Sequence, residues 1–129
     1  MDISLKILLA DDSPTIRELT SHVLEQRGHN VKTVTDGDEV IKFVEELPLP
    51  DLIITDQNMA RVNGLEVLRY LRADDRFKNL PVIVYTTNNL VEFKSMVESL
   101  GGVLVNTKMA KELLAEVDTI AASLQLKNG

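Results

Sequence analysis

Four short apolar runs, each followed by a helix-patterned stretch, constrain this chain more than any other feature. They are Ile7-Leu8-Leu9-Ala10, Leu52-Ile53-Ile54, Val82-Ile83-Val84-Tyr85 and Val103-Leu104-Val105. Each has strand length and no polar alternation, as strands covered on both faces do. A fifth run, Val31-Lys32-Thr33-Val34, does alternate, which predicts a strand at a sheet edge.

Helical periods fill the intervals. Ile16, Leu19, Val23 and Leu24 share one face, as do Val40, Phe43, Val44 and Leu47, and then Leu65, Leu68 and Leu71. Phe93, Met96, Val97 and Leu100 follow as predicted core, and the last stretch repeats Leu113, Leu114, Val117, Ile120, Ala121 and Leu124. Ser13-Pro14 is an N-cap with a first-turn proline, Gly28 stands where the first helix should stop, and Gly101-Gly102 follows the fourth. The whole reads as (βα)5 in one α/β domain spanning residues 1–129, a length that suits one core. Right-handed crossovers favour a doubly wound, flavodoxin-like parallel sheet of order 2-1-3-4-5. In such a sheet ligands sit beyond the carboxyl ends of the strands, where the winding reverses between strands 1 and 3.

Composition removes several chemistries. The chain has no cysteine, so a disulfide framework, a thiolate metal site and a cysteine nucleophile are excluded. A net charge of −6 repels phosphate backbones, which argues against direct nucleic-acid binding. The N-terminal apolar run meets Asp11-Asp12 too soon for a signal peptide or a membrane span. The expected protein is soluble, unprocessed and cytoplasmic.

At the predicted carboxyl ends, strand 1 runs into Asp11-Asp12 and strand 3 into Asp56. Three carboxylates in one crevice repel one another unless a cation neutralises them, and an all-oxygen set suits magnesium. Strand 4 ends in Thr86-Thr87, and Lys108 follows strand 5. A carboxylate nucleophile beside a hard cation, a hydroxyl and an ammonium is a set for accepting a phosphoryl group, since that transfer needs positioning and charge neutralisation above all. A flavodoxin would need a hydroxyl- and glycine-rich loop where Asp11-Asp12 stands, and a haloacid-dehalogenase-type phosphatase would need Asp-x-Asp there.

Along its whole length the chain resembles the receiver domain of two-component response regulators, and specifically their single-domain members. The resemblance rests on Asp11-Asp12, Asp56, Thr86 and Lys108, at intervals of 44, 30 and 22 residues from Asp12 onward. The stretch from Asp56 to Gly64 meets the family pattern D-x-x-M-P-x-x-D-G at Asp56, Met59 and Gly64, with Asn63 a near match. The resemblance implies that Asp56 is phosphorylated by a sensor histidine kinase or phosphotransfer protein and that the chain signals to a downstream protein without catalysing turnover. It implies that Asp12, Asp56 and the carbonyl of Asn58 bind magnesium directly, Asp11 through water, and that Thr86 and Lys108 contact the phosphoryl oxygens.

The departures fall on the readout. The family usually has proline at Ala60 and Met109, aspartate at Asn63, alanine at Thr87 and an aromatic switch residue at Val105. They motivate an alternative, a pseudo-receiver that binds a partner without phosphorylation. Without proline at Met109 the Lys108-Met109 bond is expected to be trans, because a cis bond before a non-proline residue costs about 2.5–4 kcal/mol. His22 and His29 read as ordinary surface or half-buried residues, and Asp74-Asp75-Arg76 as a solvated loop.

Overall fold

In a computed structural model, residues 3–87, 90–106 and 109–128 are described. Five strands alternate with five helices: β1 (Lys6–Ala10), α1 (Pro14–Gln26), β2 (Asn30–Val34), α2 (Gly37–Glu46), β3 (Leu52–Asp56), α3 (Gly64–Arg72), β4 (Val82–Tyr85), α4 (Val91–Ser99), β5 (Val103–Val105) and α5 (Ala110–Asn128). All pairings are parallel and the order is β2-β1-β3-β4-β5, so the predicted edge strand is at the edge.

The period of two in each strand divides the core. Leu8, Ala10, Ile53, Val82 and Val84 face α2, α3 and α4, where Val40, Val44, Val67, Leu68, Leu71, Phe93 and Val97 meet them. Ile7, Leu9, Leu52, Ile54, Ile83 and Tyr85 face α1 and α5 through Leu24, Leu113 and Val117. Burial of each Leu, Ile or Val contributes about 1.5–3 kcal/mol, so both sheet faces are needed to hold the helices.

Local chemistry fixes the turns. The Ser13 hydroxyl accepts from the Ile16 N–H at 3.3 Å, and Pro14 opens α1. Gly28 and Gly101 take positive φ after α1 and α4, at 92° and 71°, a region that L side chains rarely adopt. Asn63 caps α3 by accepting from the Glu66 N–H at 2.9 Å, while Glu66 accepts from the Asn63 N–H at 3.1 Å, a reciprocal capping box.

Two readings need correction. Met96 is exposed, with its sulfur beside the Arg69 guanidinium, because α4 is short and turns only Phe93 and Val97 inward. His29 is buried and structural: its Nδ1 accepts from the Leu5 N–H at 3.0 Å, tying the start of β2 to the start of β1. Asp74-Asp75-Arg76 does form a loop, with Arg76 bonded to Asp74 and Glu45 and lying over the Phe77 ring.

Candidate functional site

Because β1 and β3 are hydrogen-bonded neighbours, Asp11-Asp12 and Asp56 emerge side by side, and β4 adds Thr86 beyond its last residue. Asp11, Asp12 and Asp56 each bring a carboxylate oxygen within 4.8 Å of the others. They differ in exposure. Asp56 ends β3 and is 5% exposed, so it belongs to the strand end and not to an open loop.

Asp11 is 0% exposed and held on every side. Its N–H donates to the Val34 carbonyl at 3.2 Å, and its carbonyl accepts from Arg17 Nη1 at 2.8 Å. Its Oδ1 accepts from the Ser13 N–H at 2.9 Å, and its Oδ2 from the Tyr85 hydroxyl at 2.5 Å. Asp12, one residue on, is exposed.

The two threonines after β4 differ in setting, and Thr86 is the one expected to meet the phosphoryl group. It is buried, and its N–H donates to the Val105 carbonyl at 3.0 Å, whereas Thr87 is exposed. Asn58 is exposed two residues beyond Asp56. Lys108 lies outside the described residues, as does the Lys108-Met109 bond whose trans geometry was expected.

The loop that carries Asn58 is anchored at both ends. Gly64 opens α3 so close to the phosphoacceptor candidate that a Cβ there would stand 2.6 Å from the Asp56 carbonyl oxygen. Gln57 Oε1 accepts from the Leu65 N–H at 2.8 Å. Buried Asp36 accepts from the N–H groups of Arg61 at 3.0 Å and Val62 at 2.9 Å. Burial pushes the Asp36 carboxyl up, but these backbone donors and the Arg61 charge outweigh it and hold it below the usual carboxylate range. A Cβ on Gly37 would meet the Val62 carbonyl oxygen at 2.3 Å, so this docking needs glycine. Sequence reasoning found neither Asp36 nor Tyr85. The adjacent Asp36-Gly37 pair was a turn signal for the first, and a phenol among aliphatic residues was the only signal for the second.

The site's donors are hard carboxylate oxygens from three residues, and an all-oxygen set of this kind suits a hard cation such as magnesium. No helix among the described residues is long and apolar enough to cross a membrane.

Residues 7–118 match the family model described as response regulator receiver domain. A sensor kinase/phosphatase for the autoinducer CAI-1, CqsS of Vibrio cholerae, is 38% identical over 97 residues, which are 74% of this chain and 14% of that protein. The chemotaxis protein CheY1 of Helicobacter pylori is 36% identical over 64% of this chain and 68% of its own length. Among solved structures, the chemotaxis response regulator CheY4 of Vibrio cholerae superposes with a TM-score of 0.80 at 31% identity, covering 92% of this chain and 99% of that one.

Proposed function

The chain belongs to the response regulator receiver domain family, and from that premise we propose that it is a CheY-like signalling switch phosphorylated on Asp56. The observation that carries this reading is the convergence of Asp11, Asp12 and Asp56 within 4.8 Å, with Thr86 at the end of the next strand. The donor is the phosphohistidine of a sensor kinase or phosphotransfer protein. One Asp56 carboxylate oxygen forms the new O–P bond as the P–N bond breaks, and the departing imidazole keeps the electron pair and takes up a proton. Magnesium, when bound, neutralises charge on the transferring group. Asp12, Asp56 and the Asn58 carbonyl are its proposed direct ligands and Asp11 its ligand through water. Thr86 and Lys108 hold the phosphoryl oxygens.

The chain acts as one receiver over residues 1–129, in the cytoplasm, passing its state to a downstream protein by contact and not by turnover of a substrate. Incubation of the parent and of Asp56→Ala with acetyl phosphate and magnesium, read by intact mass, tests this. The parent should gain one phosphoryl group and Asp56→Ala none. An unmodified parent would overturn the switch and leave the pseudo-receiver, for which Val105, Ala60 and Met109 are the motivation. Labelling retained in Asp56→Ala would move the acceptor elsewhere.

A further inference from the structure

Tyr85 closes β4 inside the core, fully buried beside Leu9, Ile54 and Ile83, where hydrocarbon alone would fill the space. Its polar end goes elsewhere. The hydroxyl donates to Asp11 Oδ2 at 2.5 Å. In register Tyr85 stands opposite Asp56 on β3 and Val105 on β5, and Thr86 is the next residue. One side chain thus joins the acidic cluster to the strand end that carries the hydroxyl.

We propose that Tyr85 is a positioning residue of the cation site, whose hydroxyl holds Asp11 turned toward the protein in competition with a bound cation. This rests on the reading of Asp11, Asp12 and Asp56 as a magnesium site. A phenol buried without a partner would be costly, so Tyr85 is committed to donating. With Ser13 N–H on Oδ1 and Tyr85 O–H on Oδ2, each Asp11 oxygen already serves a donor. A divalent cation or its waters must draw on the same electron density. Reciprocity follows: a cation that loosens the Tyr85 bond is itself weakened by that bond.

Two measurements on the full chain test this. In the first, magnesium titrated by calorimetry should bind Tyr85→Phe about threefold to tenfold more tightly than the parent, the share of a charged hydrogen bond given up on loading. In the second, Tyr70→Phe leaves Tyr85 the only tyrosine in a chain with no tryptophan. Tyr70 bonds Glu45 across the exposed α2–α3 face, away from the acidic cluster. Magnesium should shift the near-ultraviolet band of that variant to the blue as the phenol's bond to the carboxylate weakens. A less stable Tyr85→Phe with unchanged or weaker affinity would make Tyr85 core filling and overturn the proposal, as would no blue shift at saturating magnesium. If Tyr85→Phe does not fold, the spectral shift decides alone. A parent that binds magnesium without either response overturns this inference only, whereas a parent that binds none overturns the cation reading with it.

Discussion

Asp11 and Asp12 are adjacent in the chain and opposite in circumstance. Among the described residues Asp11 hydrogen-bonds to Val34, Arg17, Ser13 and Tyr85, and Asp12 faces solvent. Asp12→Asn should therefore leave stability nearly unchanged and weaken magnesium at least about fivefold, since one unit charge lost about 4 Å away is worth about 1 kcal/mol even with water-like screening. Asp11→Ala should instead cost about 1.5–3 kcal/mol in urea unfolding, the range for hydrogen bonds to a charged group. Calorimetry and unfolding of the two variants should thus give opposite rankings. His29 supplies the pH counterpart. Its Nδ1 must stay unprotonated to accept from Leu5, and burial, reinforced by Arg27 and opposed by Asp118, lowers its pKa below the ordinary 6.5. The unfolded chain then binds a proton more readily than the folded one. Stability is fully present above pH 6.5 and falls as pH drops toward the folded value. His29→Gln should shrink the difference in urea midpoint between about pH 7.5 and pH 5.5, a window that brackets the ordinary histidine value.

Elements show why some departures from the family pattern leave the fold untouched. Asn63 stands where aspartate is usual, and its place is the N-cap of α3, where the two residues serve equally. Asn63→Asp should change stability by less than about 0.5 kcal/mol and Asn63→Ala should cost about 1 kcal/mol, measured by thermal unfolding. The loop between β3 and α3 depends on a different contact. Asp36 gathers two of its N–H groups, so Asp36→Ala should destabilise by about 1.5–3 kcal/mol and increase amide exchange at Arg61 and Val62. The strands, the Ser13 cap and the Gly28 stop were legible because run length, capping chemistry and backbone freedom are written locally. The acidic cluster was legible because a parallel sheet gathers its carboxyl ends. Asp36 was not, because its partners are backbone groups 25 and 26 residues away that leave no mark on composition. Tyr85 ended an apolar run and read as core, which is true of its ring and silent about its hydroxyl. Met96 fitted the helical period, but only the inner part of that face is covered.

For the whole molecule, the output should be uneven. β5 has three residues, and Val105 is already buried against β4, with no large ring to swing. Beryllofluoride, a phosphate mimic, should shift NMR resonances after β3 and β4 strongly and those of Val103 to Asn106 weakly. Large changes centred on β5 would contradict this. The strand order also sets a timetable. β1 lies inside the sheet between β2 and β3, and its β3 neighbour is far along the chain; the Lys6 N–H finds the Asp51 carboxylate across 45 residues. At about 5–20 residues per second of synthesis, roughly 2–9 seconds separate the two segments on the ribosome. During that interval one of the most apolar stretches of the nascent polypeptide has an unpaired edge. A translating cell must shield Ile7-Leu8-Leu9 until β3 arrives, so synonymous changes that slow decoding between α1 and β3 should lower soluble yield without altering the finished protein.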